Sequence, residues 1–202
     1  ITAIGSVILQ SAVNTLGSDA VASVTAASKI SMFIVCPFDS MGATMATYGG
    51  QNAGGYKLDR LHKGLGSCII LGAVYSVIGL LIIAAFGPHL LKLFVSGSET
   101  GILADAQHFL LINGLFYFPL ALVNIVRFMI QGMGFGFFAI IAGVLEMAAR
   151  TLVGAVFVPI FGYNAACFAS PLAWIFADCF LIPAYFVVWN RMKRHKEAYR
   201  QV

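Results

Sequence analysis

Six charged side chains lie inside long apolar runs: Lys29, Asp39, Arg127, Glu146, Arg150 and Asp178. If those runs cross a bilayer, each charge costs at least about 2.5–3.5 kcal/mol at a helix centre unless it is paired or wet. Charges kept at that cost mark ion pathways, proton relays or internal ion pairs. Glu146 and Arg150 are four residues apart with Glu first, the spacing and order at which helix side chains attract best, and they read as a structural ion pair. Asp39 has no opposite charge three or four residues away and closely follows Pro37. A lone carboxylate there can exchange a proton or hold a cationic ligand, or can be structural if a neighbouring helix bonds it. Asp178 is weighed the same way. Counting 1.5 Å per residue, Asp39, Glu146 and Asp178 lie roughly 16, 14 and 18 Å deep. Arg127, roughly 8 Å from its helix end, is expected to reach the interface as an anchor.

Aromatic residues crowd around Phe116, Tyr117 and Phe118 and again from Phe135 to Phe138. Most suit packing or lipid contact, but a few facing a cavity would hold an organic cation by cation–π attraction. Gln10, Asn14, Tyr117 and Asn124 join Asp39 and Asp178 as candidates for a substrate and ion pathway. Enzyme signatures are missing: His62, His89, His108 and His195 have no zinc-site spacing. The run Gly49 to Gly55 is superficially like a phosphate loop, but Tyr56 separates Gly55 from Lys57. No metal site, no cofactor and no enzymatic activity are expected.

The elements that must position these residues follow from composition. Of 202 residues, 60% are apolar and 10% charged, with a mean hydropathy of +0.91, against about 25% charge in a soluble domain. The solvent is therefore lipid, and the fold class is an all-α membrane protein. The net charge of +4 does not form the surface stripe that nucleic acid needs. Cys36, Cys68, Cys167 and Cys179 read as small buried hydrophobes. No signal peptide is seen before the first apolar run. A span needs about 20 apolar residues, and breaks at turn signals give six segments, approximately 1–16, 20–49, 57–87, 101–132, 137–160 and 164–192, followed by a basic tail over 193–202. Ser18 or Asp19 is expected to cap the second segment. Pro37, Pro119, Pro171 and Pro183 fall within segments and are expected to kink them. Lys57, Arg60 and Lys63 share a side with Arg191, Lys193, Arg194, Lys196 and Arg200, which the positive-inside rule makes cytoplasmic.

Gly50-Gln51-Asn52-Ala53-Gly54 followed by Arg60 resembles the Gly-Gln-Asn-x-Gly…Arg signature of the multidrug and toxin extrusion (MATE) transporters. Gln10, Asn14 and Leu16-Gly17, then Gln131 to Gly134, Glu146 with Arg150, and Phe161-Gly162 leading to Ala166 and Trp174 stand in family order. The resemblance covers essentially the whole chain. It implies the C-terminal six-helix lobe of a twelve-helix antiporter in the bacterial inner membrane, which exports small organic cations while Na⁺ or H⁺ enters. Its partners would be the N-terminal lobe, the substrates and the lipid bilayer. The NorM branch carries coupling acids in the first and fourth helices of this lobe, but none occurs from Ile1 to Leu16 or from Ala106 to Gln131; Thr2 and Leu120 fall about where they would lie. That departure implies the DinF-like arrangement. Two competitors are a lipid-linked saccharide flippase, which would expose Lys29, Arg127 and Arg150 to its cavity, and a non-transporting membrane scaffold subunit.

Overall fold

A computed structural model describes residues 2–96 and 99–199, with side chains placed from residue 4 to residue 194. Thr2, Lys196 and Arg200 therefore lie outside the described side chains. The described chain is helical throughout: α1 Thr2–Asn14, α2 Ser18–Gly54, α3 Leu58–Leu91, α4 Thr100–Leu115, α5 Tyr117–Gly132, α6 Gly136–Leu152, a π-helical turn Val153–Phe157, α7 Val158–Phe161 and α8 Tyr163–Tyr199. Four stretches, Ser18–Gly54, Leu58–Leu91, Gly136–Phe161 and Tyr163–Arg194, are long and apolar enough to cross a bilayer, and α4 with α5 makes a fifth. The described α1, with 13 residues, is short for a span.

Short glycine turns separate the helices. Gly17, Gly134 and Gly162 have φ of 102°, 93° and 62°, left-handed values that suit a residue without Cβ. Gly17 itself caps α2, and no side chain does so. The expected cap fails because Ser18 and Asp19 already lie within the first turn, where the Ser18 hydroxyl donates to the Asp19 carboxylate. Three further boundaries differ from expectation. α2 continues through the glycine-rich motif to Gly54, placing Gly50, Gln51, Asn52 and Gly54 on helix. α3 continues past Pro88 to Leu91. The expected segment 101–132 is instead two helices bent by 51°. Pro119 explains that break. It has no N–H for the Leu115 carbonyl four residues back, and the helix restarts at Tyr117, with Pro119 in the first turn, where a missing donor does no harm.

α5 is the axis of the bundle, in contact with α2, α3, α6 and α8. Leu120, Ala121, Val123, Ile125, Val126, Met129 and Ile130 are all buried. Against it, α2 approaches closely through glycines: a methyl at Gly132 would run into the Ala46 backbone, and one at Gly49 would lie 3.0 Å from the Met129 carbonyl. α1 packs on α6 and the π-helical turn.

Prolines inside membrane helices free carbonyls that neighbours must satisfy. Pro171 frees the Cys167 carbonyl of α8, and the buried Asn113 amide of α4 donates to that oxygen at 3.4 Å. The Asn113→Leu substitution should therefore cost about 1–3 kcal/mol by leaving a buried carbonyl without a donor. Adding Pro171→Ala, which restores the N–H, should recover most of that loss. Thermal unfolding of the single and double variants in detergent checks this, and equal melting of the two would contradict it.

Candidate functional site: a polar stripe and a buried charge cluster

The exposed faces of the bundle divide into two chemistries. α3 shows solvent or lipid an unbroken apolar surface of Ile70, Leu71, Val74, Val77, Ile78, Leu81 and Phe86. The outer face of α8 does the same with Phe168, Leu172, Phe176, Phe186 and Val187. α1 and α2 do not. On α1, Ser6, Gln10 and Asn14 are exposed at intervals of four residues, and Gln10 Nε2 donates to Asn14 Oδ1 at 3.3 Å. On α2, Thr25, Lys29, Cys36, Asp39, Ser40 and Thr44 are exposed along one side. The Ser40 and Thr44 hydroxyls donate back to the Cys36 and Ser40 carbonyls at 3.1 and 2.8 Å, which helps them tolerate an apolar setting. A polar stripe of this length facing hydrocarbon would be costly, so this side faces water or protein.

Asp39 sits on the α5 side of that stripe. Asn124 of α5 donates Nδ2 to Asp39 Oδ1 at 3.2 Å. Asn124 is itself buried, so the carboxylate is open on one side and held on the other. The chemistry this allows is binding of a proton or a cation by a carboxylate in reach of water. Lys29, ten residues earlier, stands over the Phe94 ring at 5.4 Å, and among the described residues it makes no ion pair. Around it a polar recess of about 620 Å³ is lined by Asn14, Ser18, Thr25 and Glu99 among others.

The other deep charges are buried together. Arg127 of α5 pairs with Glu146 of α6, and Arg150 Nη2 lies 3.5 Å from the second oxygen of the same carboxylate. Glu146, Arg150 and Asp178 are 4%, 8% and 7% exposed. One carboxylate, Glu146, therefore serves two guanidiniums and ties α5 to α6, whereas Asp178 of α8, buried nearby, makes no ion pair among the described residues. The expectation that Arg127 snorkels to the interface is corrected: α5 is packed among its neighbours, and its arginine meets Glu146 before it meets water.

The remaining sequence candidates divide by burial. Tyr117 is fully buried, its ring 5.8 Å from Phe38, and takes no part in an open face. Asp178 is likewise enclosed. Of the motif residues, Gly50 would place a Cβ 3.3 Å from the Gly132 carbonyl, Asn52 donates to the Tyr48 carbonyl at 2.9 Å, and the Arg60 carbonyl accepts from the Tyr48 hydroxyl at 2.8 Å. The motif thus fastens the end of α2 to α5 and α3. Cys68 and Cys167 are buried, but Cys36 and Cys179 are exposed, contrary to the reading of all four as buried. Ser40 and Thr44 were missed in the sequence; they become visible only once the exposed side of α2 is known. Among the described residues no group of three or more His, Cys, Asp or Glu side chains could hold a metal ion.

The MatE family model matches residues 1–160, and the chain belongs to that family. Its fold is similar to that of an outward-facing multidrug resistance MATE family transporter of the MOP superfamily, with a TM-score of 0.83 at 20% identity over 96% of this chain and 43% of that one. An inward-facing MATE family transporter gives 0.79 at 20% identity over 97% and 45%. A MOP superfamily transporter from Pyrococcus furiosus, described as having a binding pocket of reversed polarity that suggests a different function, gives 0.78 at 18% over 92% and 40%. The chain thus spans less than half the length of these solved structures. No curated protein matches it. It is a multi-pass membrane protein with the fold of just under half of such a structure.

Removing one member of a buried charge set leaves another uncompensated. Glu146→Gln should destabilise the protein by about 3–5 kcal/mol, read as a lowered melting temperature in detergent. Melting at the native temperature would show that the cluster is wet.

Proposed function

We propose that this chain is the C-terminal lobe of a two-lobe secondary transporter that exports cationic or amphipathic organic compounds in exchange for Na⁺ or H⁺. The observation that carries the reading is the polar stripe of α1 and α2 on a bundle whose α3 and α8 present an apolar skirt. A second lobe placed against the stripe would enclose a water-filled cavity, and rocking of the two lobes would open it to each side in turn, as in repeat-built transporters. The lobe supplies binding surface and ion chemistry, with no enzymatic step.

Of the three deep carboxylates Asp39, Glu146 and Asp178, only Asp39 is exposed on the stripe. It is the coupling group we assign to this lobe, with Asn124 holding it. The absence of acids over Ile1–Leu16 and Ala106–Gln131 supports the DinF-like arrangement, in which coupling lies in the other lobe; a role for Asp39 is our own addition to it. Pairing and burial of Arg127 and Arg150 favour cation efflux over a flippase for pyrophosphate-linked saccharides, whose cavity needs open cations. Lys29 alone favours that second reading. The start of α3 and the end of α8 meet where His62 lies 5.3 Å from Trp189, gathering Lys57, Arg60, Lys63, Arg191, Lys193 and Arg194 at one end of the bundle. By the positive-inside rule this end is cytoplasmic in the bacterial inner membrane.

The first test is efflux of a fluorescent lipophilic cation from vesicles holding the full two-lobe protein under imposed Na⁺ or H⁺ gradients. Gradient-driven efflux that Asp39→Asn abolishes is the expected result. Efflux unchanged by the substitution would remove Asp39 from coupling, and no efflux of the native protein under either gradient would overturn the antiporter reading. A second test uses the native thiols. Cys36 on the stripe should react with a membrane-impermeant thiosulfonate, whereas Cys179, among Phe176 and Ile182, should react only with a lipid-soluble maleimide. The reverse order would turn the stripe toward lipid.

A further inference from the structure

A groove of about 320 Å³ runs between α3, α5 and α8 on the side of the bundle away from the polar stripe; its lining includes His62, Gly66, Ile69, Val126, Ile182 and Tyr185. We infer that it holds one acyl chain of an anionic phospholipid, with the headgroup at the basic end of the bundle.

The groove exists because residue 66 has no side chain. A Cβ built on Gly66 meets nothing within 4 Å, so a strip of α3 stays empty between Leu65 and Ile69. The surrounding surface, with Ile70 66% and Phe186 52% exposed, is the apolar skirt that touches lipid. Its length fits a chain segment: His62 to Ile69 and Ile182 to Trp189 each cover roughly 10 Å, most of the depth of one leaflet in a hydrocarbon core of about 30 Å.

One end of the groove is polar. The exposed His62 ring lies 5.3 Å from Trp189 and 6.4 Å from Tyr185. Tyr185 is 3% exposed, and its hydroxyl has no hydrogen-bond partner in the protein. That oxygen is closed off from the groove, so the polar contacts of a headgroup fall to the exposed His62 ring, to Trp189 and to the basic residues beyond them. Trp189 marks the interfacial level, where indoles concentrate. Lys193, one turn beyond Trp189 on the same side of α8, and Lys63, beside His62, are both exposed. With Lys57, Arg60, Arg191 and Arg194 they face one described acid at this end, Asp59. A basic end above an apolar slot is complementary to a negative headgroup on a hydrocarbon chain. A lipophilic cation, by contrast, would meet repulsion at this end.

The test uses the full-length protein in bilayers of equal phosphatidylglycerol and phosphatidylcholine. The photoreactive residue p-benzoylphenylalanine replaces Phe186, an exposed aromatic on the groove wall, with a control at Val74 on the open face of α3. Cross-linked lipids are identified by mass spectrometry. At position 186 phosphatidylglycerol should exceed phosphatidylcholine by roughly fivefold, the factor that one lysine's attraction supplies, and at Val74 the two should be equal. The exposed substitutions Lys63→Gln and Lys193→Gln together should return the ratio at position 186 to that of the bilayer. The same pair should lower the phosphatidylglycerol retained by the purified protein without the photoreactive residue, as counted by native mass spectrometry. Equal ratios at both positions, no lipid cross-linked at 186, or retention unchanged by the lysine substitutions would each overturn the inference. It does not depend on transport, so its failure would leave the antiporter reading standing.

Discussion

A protein in hydrocarbon has no water with which to satisfy a carbonyl or a guanidinium, and the arrangement of this bundle depends on that constraint. Each proline that bends a helix creates a carbonyl needing a donor, and each interior charge needs an opposite one. The structure meets these demands across helices. Asn113 of α4 serves the carbonyl that Pro171 frees in α8, and three residues before Pro37 of α2 the Tyr75 hydroxyl of α3 donates to the Ile34 carbonyl at 3.0 Å. Bends and their remedies therefore also act as tertiary contacts, and helix–helix registry is fixed by polar atoms as much as by packing.

The same constraint explains why α5 carries so much of the chemistry. Packed among its neighbours, it holds Arg127 against Glu146, and Asn124 three residues earlier faces Asp39. One side of α5 thus joins a buried charge cluster with α6. Another side supports the carboxylate on the open stripe of α2. The glycine contacts at Gly49 and Gly132 hold α2 close enough for that hydrogen bond to form. Rigidity on one side and access on the other is the division that the proposed rocking of two lobes would require.

Much of this is legible in the sequence, and the failures have physical causes. Apolar length and glycine punctuation show an all-helical membrane fold, since Gly17, Gly134 and Gly162 end helices by adopting backbone angles other residues avoid. The glycine-rich run at Gly49–Gly54 misleads because Gly49 and Gly50 serve close packing against α5, not a turn; spacing alone does not separate the two uses. Asp39 stands out as a lone deep carboxylate, yet its partner Asn124 lies 85 positions away and no local pattern joins them. Local spacing also finds Glu146 with Arg150, but it misses Arg127, which the Glu146 carboxylate meets from another helix. Burial of Tyr117 is equally invisible, because its neighbour Phe38 comes from α2.

The π-helical turn Val153–Phe157 has a consequence for the face that α7 presents. A π turn accommodates one more residue than an α turn, and one residue corresponds to about 100° of rotation in a regular helix. The segment works as a phase shifter: the side chains of Val158–Phe161 are turned relative to where an uninterrupted α6 would have pointed them. Val158 is thereby 1% exposed while Ile160 and Phe161 are 67% and 62% exposed. The last stretch of this span owes its orientation to a backbone insertion upstream, so its inward and outward positions cannot be extrapolated from the repeat of α6.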